Sequence, residues 1–195
     1  MKIGIYGSID VGDVINHDLD YIGVDNGVSH LLKYGIKPVL LMGDLDSLED
    51  RSIIEEYNIE LFPTHKDDTD TALAIKKAIN DGYDEIDLYG VTHKRLDHFM
   101  AVIYTMKKYH DIRITIYDEY NKIYILNKGK HKIYKDGYTY FSLFSFKNTY
   151  VSLNHCEYPL KHYLLKEDDP LCCSNQMYDT LEIKISDMVL MIQSS

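Results

Sequence analysis

The sequence predicts an α/β first domain, a parallel sheet with crossover helices, followed by an all-β second domain. Three observations predict it. Short apolar runs alternate with helical patterns up to about residue 118, which is what strands joined by crossover helices produce. After about Asn121, β-rich runs recur with turn signals between them and no helical pattern. The chain has 195 residues, enough for one large domain or two small ones, since domains usually run to roughly 100–150 residues.

Strands of the first part are expected near Lys2 to Tyr6, Tyr21 to Val24, Val39 to Met42, Ile59 to Phe62, Glu85 to Tyr89 and Ile112 to Tyr117. Between Asp68 and Asp81, Ala72, Ile75 and Ile79 recur at helical spacing, with Ala74 and Ala78 beside them and Gly82 as the stop signal; this predicts a helix. Leu96, Phe99, Ile103 and Met106 predict a second helix with one face on the sheet. Farther on, Tyr138 to Phe146 is aromatic-rich, and Leu181 to Ile185 alternates apolar and polar residues as a half-buried strand does. Turn signals fall around Gly129, Asp136-Gly137, Asn148 and Asp168-Asp169-Pro170, a spacing that suits a small sandwich. Residues 1–120 are thus expected to form a Rossmann-like α/β domain and residues 121–195 a β-sandwich. The sequence shows no internal repeat.

Composition narrows the function classes. With 31 acidic against 21 basic residues and a net charge of −10, the chain lacks the clustered cations on which phosphate-backbone binding rests. Nucleic acid is not an expected partner. Cys156, Cys172 and Cys173 form an odd set with two neighbours adjacent, poor geometry for a disulfide framework. The opening residues turn polar too soon for a signal peptide, and no apolar run approaches the ~20 residues of a membrane span. A cytoplasmic location and no membrane partner are expected.

The chemistry-bearing residues gather at predicted strand ends. Val39 to Met42 reads as a buried strand, so Gly43-Asp44-Leu45-Asp46-Ser47 leaves the sheet at its carboxyl edge, where open α/β sheets bind ligands. In an extended backbone Asp44 and Asp46 point the same way, and two converging carboxylates call for a cation. Magnesium fits, because it takes oxygen ligands and bridges carboxylates to substrate phosphates. Taken alone, Asp44 and Ser47 fit a helix-capping turn better than a metal site. Further acidic residues shift the balance: Thr64 to Thr71 follows another strand end, carries Asp67, Asp68 and Asp70, and opens a helix. Asp70 is expected to complete the metal site, and Lys66 either meets phosphate or pairs with its acidic neighbours. A third segment, Gly90 to His98, again joins strand to helix. Its backbone N–H groups suit an anion, Arg95 offers a planar fork for phosphate, and Asp97 can hold a second metal or accept a hydroxyl proton. His98 reads as a packed or capping residue.

These pieces together resemble the thiamine pyrophosphokinase family. The matching residues are Asp25-Asn26-Gly27 before a Leu-rich helix, the Gly-Ile-Lys-Pro run from Gly35, Gly43 to Ser47, Lys66 to Asp70, and Arg95-Leu96-Asp97-His98. Tyr158-Pro159-Leu160, Cys173-Ser174-Asn175 and Met188 to Ile192 extend the likeness through the second half. The resemblance implies a homodimer with ATP on the first domain and thiamine bound between subunits, the second domain serving thiamine binding and dimerisation. It implies Mg2+ on Asp44, Asp46 and Asp70. Asp25, Lys66, Thr69, Arg95 and Asp97 would line the nucleotide and transfer site, and Ser174 and Asn175 would contact thiamine. The implied reaction moves the pyrophosphoryl group of ATP onto thiamine, giving thiamine diphosphate and AMP. Asp70 and Asp97 both remain open as proton acceptor, with Arg95 stabilising the transferred charge. The chain departs from the family pattern at His93-Lys94, which replace a glycine pair, at Val102, which replaces an asparagine, and at Asn26, which replaces a glycine.

Two other readings compete. One is a pyrophosphokinase for a different heterocyclic alcohol, such as a hydroxymethylpterin, since acceptor choice would lie in the second domain. The other is a non-catalytic nucleotide- or thiamine-binding sensor, which would bind ligand without releasing AMP.

Overall fold

A computed structural model of the chain describes residues 1–12, 14–43, 59–61, 68–93 and 95–195, with only the backbone described at 59–61. The chain is α/β, mostly strands, with both parallel and antiparallel pairing. It divides into two compact units, Met1–Glu119 and Tyr120–Ser195.

The first unit runs β1 (Lys2–Tyr6), β2 (Tyr21–Val24), α1 (Gly27–Lys33), β3 (Leu40–Gly43), β4 (Ile59–Leu61), α2 (Asp70–Asn80), β5 (Glu85–Tyr89), α3 (Leu96–Lys108) and β6 (Arg113–Tyr117). All its strand pairs are parallel, in the spatial order β4-β3-β2-β1-β5-β6. Every residue of β2 and the last four of β1 and β5 are buried. That is the reason these strands read as continuous apolar runs: a parallel sheet is covered on both faces. In register across β1, β5 and β6, Tyr6, Tyr89 and Tyr117 stack with centroid spacings of 6.0 and 5.7 Å. Burial pushes the Tyr6 phenol up to about 12 and raises the Tyr89 phenol as well.

The helices differ from their expected faces at the ends. In α2 the buried residues are Ala72, Ala74, Ile75 and Ala78, while Ile79 is only half-buried. In α3, Val102, Ile103 and Met106 are buried but Leu96 is 70% exposed. Leu96 is the first helical residue, so the stripe starts a turn later than its spacing suggests. Among the described residues no helix is long and apolar enough to cross a membrane.

The second unit consists of β7 (Asn121–Leu126), β8 (Gly129–Tyr134), β9 (Tyr140–Ser145), β10 (Thr149–Cys156), β11 (Leu160–Leu165), β12 (Asn175–Ile185) and β13 (Val189–Ser194). All these pairs are antiparallel. β13 lies between β7 and β9. The long strand β12 begins beside β9 and, from Thr180 on, runs between β8 and β10, with β11 beyond. Along β12, Leu181, Ile183 and Ile185 are buried and Glu182 and Lys184 exposed, the alternation of a strand with one wet face. Phe141, Leu143, Val151, Leu153, Met177, Leu181 and Met191 belong to one buried cluster.

Candidate active site

Strand order creates the site. From β1 the chain builds outward through β2, β3 and β4, then α2, which packs on β1, β2 and β3, returns it to β5 on the other side of β1. The connections leaving β1 and β5 therefore diverge, and a crevice opens outside their carboxyl ends, the place where such sheets bind ligands. Just past the sheet the two backbones touch: Gly7 N donates to Tyr89 O at 2.8 Å and Ile9 N to Gly90 O at 3.2 Å. A Cβ on Gly7 would stand 2.7 Å from Gly90 O. The resulting pocket is lined by Ser8 and Ile9 after β1, Asp25 after β2, Thr69, Asp70 and Thr71 at the start of α2, Gly90, Val91 and Thr92 after β5, Arg95 at the N-cap of α3, and His98 and Val102 on α3.

Of the residues expected at the site, Asp25, Thr69, Asp70 and Arg95 meet in this pocket. Asp25 has a φ of 50°, a left-handed backbone that aspartate tolerates better than most residues, and its N–H donates to Met42 O at 3.0 Å. Its carboxylate lies against Gly43, where a Cβ would be 2.0 Å from Oδ1 and φ is 129°. Glycine is thus required where β3 runs into the Asp44 segment. Thr69 caps α2, its Oγ1 accepting from Ala72 N at 3.3 Å. Asp70 follows in the first turn, where free N–H groups favour a carboxylate. Asp68 is instead ion-paired with Lys76.

Arg95 reaches the pocket, but its guanidinium meets Asp97 at 2.5 Å (Nη2 to Oδ2) and 3.2 Å (Nε to Oδ1). Asp97 lies outside the pocket lining, and the Arg95 guanidinium pulls its carboxyl down to about 2. Asp44, Asp46, Ser47, Lys66, Asp67 and Lys94 lie outside the described residues. No group of three or more His, Cys, Asp or Glu able to hold a metal occurs among the described residues. The oxygen donors of the pocket nevertheless suit magnesium. Asp25 and Asp70 bring hard carboxylate oxygens to one pocket, and Asp25 abuts Gly43 at the head of the Asp44–Asp46 segment.

The Ser8–Gly12 wall is strapped to α1. Asp10 accepts from Lys33 Nζ at 2.6 Å, from Tyr34 OH at 2.6 Å and from Gly12 N at 3.1 Å. Ser8 O lies 3.3 Å from His30 Nε2. The Lys33 ammonium, with help from Tyr34, holds the Asp10 carboxyl well below the usual carboxylate range. A depressed folded-state pKa stabilises above the unfolded value of ~3.9 and is lost as pH falls below it. Asp10→Asn is therefore expected to lower the urea midpoint at pH 7 and to lose that difference progressively below about pH 4. A difference that did not change between pH 7 and pH 2 would exclude the ion pair as its cause.

Ser8 and Ile9 escape sequence reasoning, although Gly7 straight after the first apolar run is a usable signal; Thr92 lies in the expected Gly90 to His98 segment, without its side chain being singled out. His98 proves exposed and pocket-lining rather than packed. Val102, 2% exposed, gives the pocket an apolar wall where the family pattern has an amide. His93 occupies φ 80°, a conformation that favours the glycine it replaces, with Nε2 3.7 Å from the buried Asp118 carboxylate. In the second unit, Ser174 is exposed at φ 55° and its N–H donates to Ser142 Oγ at 3.0 Å. Asn175 is buried; its Oδ1 accepts from Tyr158 N at 3.1 Å and its Nδ2 donates to Tyr158 O at 2.8 Å. The Tyr158 and Cys173-Ser174-Asn175 segments are thereby tied together.

Known proteins are similar to this chain along its whole length. A family model for the thiamin pyrophosphokinase catalytic domain matches residues 12–117, and one for the thiamin pyrophosphokinase vitamin B1 binding domain matches residues 130–190. The thiamine pyrophosphokinase of Bacillus subtilis (strain 168) is 34% identical over 166 residues, 80% of this chain and 78% of that protein. Among solved structures, thiamine pyrophosphokinase from Bacillus subtilis aligns with a TM-score of 0.89 at 28% identity, covering 100% of this chain and 99% of that one. The thiamin pyrophosphokinase of Geobacillus thermodenitrificans aligns at 0.88 and 28% identity, covering 100% and 98%.

Proposed function

Because the chain belongs to the thiamin pyrophosphokinase family, we propose that the pocket at the carboxyl ends of β1 and β5 is where ATP is held for attack by thiamine. The activity itself is pyrophosphoryl transfer from ATP to thiamine, giving thiamine diphosphate and AMP. The observation that carries the site reading is the meeting of Asp25, Thr69, Asp70 and Arg95 in one crevice of the unit that the catalytic family model matches.

In this reading Met1–Glu119 is a Rossmann-like nucleotide domain and Tyr120–Ser195 a β-sandwich that contributes Ser174 and Asn175 to thiamine binding. Asn175 acts by holding Tyr158, since its amide is engaged there on both sides. Asp44, Asp46 and Asp70 would hold Mg2+, which when bound neutralises phosphate oxygens and orients them. Asp25 and Lys66 line the nucleotide site with Thr69. The hydroxyethyl oxygen of thiamine attacks the β-phosphorus, the bond from that phosphorus to the α,β-bridging oxygen breaks, and AMP leaves. Such transfers need in-line positioning and charge stabilisation more than covalent help. Arg95 supplies positive charge beside the transferred group. The hydroxyl proton goes to Asp70, which lines the pocket; Asp97 is held by Arg95 and is better suited to fixing that guanidinium. A carboxylate has two oxygens, so Asp70 can serve both cation and proton. The enzyme is read as a cytoplasmic homodimer.

With ATP, Mg2+ and thiamine, AMP and thiamine diphosphate should form one to one. A hydroxymethylpterin offered in place of thiamine should release no AMP above background. Turnover with the pterin alone, or binding without AMP release, would overturn this reading of the substrate.

A further inference from the structure

Thr92 lies on the short connection between β5 and α3 and lines the same pocket as Asp25, Asp70 and Arg95. It is 7% exposed, and its Oγ1 is closed off from solvent with no hydrogen-bond partner among the described residues. Water satisfies that hydroxyl in the unfolded chain, so burying it unpaired destabilises the fold. Native interiors leave few such groups. Valine would fill the same space without that cost, so packing alone gives no reason for a hydroxyl here.

Because Thr92 lines the pocket, a ligand there can supply the partner that the described residues do not. A hydroxyl can donate or accept, and the pocket already presents two carboxylates, Asp25 and Asp70, against one guanidinium, Arg95. A further donor is what an anionic ligand would use, and a bond to a charged oxygen is among the stronger ones. We propose that Thr92 binds the nucleotide, its hydroxyl donating to a phosphate oxygen of bound ATP. This rests on the reading of the pocket as the ATP site. Rotation about χ1 by about 120° moves the hydroxyl between staggered positions without displacing the backbone, so the group can turn toward an arriving phosphate.

The inference predicts opposite signs for stability and binding. Thr92→Val should melt at the same temperature as the parent or higher. It should bind α,β-methylene ATP with Mg2+ roughly ten- to a hundredfold more weakly, and raise the KM for ATP with the KM for thiamine unchanged. Thr92→Ser, which keeps the hydroxyl, should stay within about threefold of the parent in binding. Four results would overturn the proposal: analogue affinity of Thr92→Val equal to the parent, a lower melting temperature, equal loss in both variants, or a loss confined to thiamine. The ATP-site reading fails separately, by the unsubstituted protein releasing no AMP or failing to bind the analogue at all.

Discussion

Asp70→Asn is expected to cut kcat/KM for pyrophosphoryl transfer by roughly 10²–10³-fold while leaving the fold intact, the size of loss seen when one preorganised charge-stabilising group is removed. The substitution is nearly isosteric, and asparagine is accepted in the first turn of a helix. Its structural cost includes the helix-dipole contribution of about 0.3–1 kcal/mol. Function loses far more, because Asp70 is the carboxylate of the expected metal set that lines the described pocket. If cation binding dominates its role, raising Mg2+ should restore part of the rate. If proton acceptance dominates, added Mg2+ should change nothing and the pH–rate profile should lose its acidic limb. Activity within about threefold of the parent at every Mg2+ concentration would remove Asp70 from the mechanism.

The second large effect is on stability. Gly27 opens α1 directly against the end of β1, and a Cβ there would stand 2.0 Å from Tyr6 O and 2.7 Å from Gly7 O. Both contacts are with backbone where the central strand β1 ends, so neither neighbour can rotate away. Gly27→Ala is expected to destabilise by about 3 kcal/mol, the upper end for overpacking, read as a lowered urea midpoint with an unchanged slope. Gly35→Ala is the comparison: it has open space around it at φ 73°, and should cost only ~1–2 kcal/mol for its left-handed backbone. Equal losses would show that close approach is not what Gly27 provides. The same contact explains the Asp25-Asn26-Gly27 motif physically, since α1 can seat on β1 only over a glycine, and that seating delivers Asp25 to the pocket.

Much of this was legible beforehand. The apolar runs located every strand of the first unit to within a residue or two, because strands buried on both faces have little room for polar residues. The helical spacing located α2 and α3, but overextended both stripes, to Ile79 and Leu96, since spacing cannot say where a helix stops touching its sheet. The pocket was half legible. Asp25, Thr69, Asp70 and Arg95 followed from strand ends and resemblance. Ser8 and Ile9 did not, because β1 and β5 are neighbours only through the strand order, which local sequence does not encode; Thr92 lay in the expected Gly90 to His98 segment, but nothing in the sequence singled out its side chain. The burial of Asn175 was equally hidden: as a dipeptide Ser174-Asn175 reads as a turn, and only the fold reveals Tyr158 clasped by its amide. Asp44, Asp46 and Lys66 lie outside the described residues, so their part rests on the pattern alone.

The position of β13 bears on how the protein is made. Its ladder partners, β7 and β9, begin at Asn121 and Tyr140, yet they are joined in the sheet only through Val189–Ser194. On a ribosome, the first unit has all its strands once residue 119 has emerged and can fold while synthesis continues. The second must hold β7 and β9 apart, with their edges unpaired, until the last strand of the unit arrives. Vectorial synthesis therefore gives the two halves different exposure to chaperones and to misassociation, and a ribosome stalled within β13 would display a finished α/β unit tethered to an open sheet.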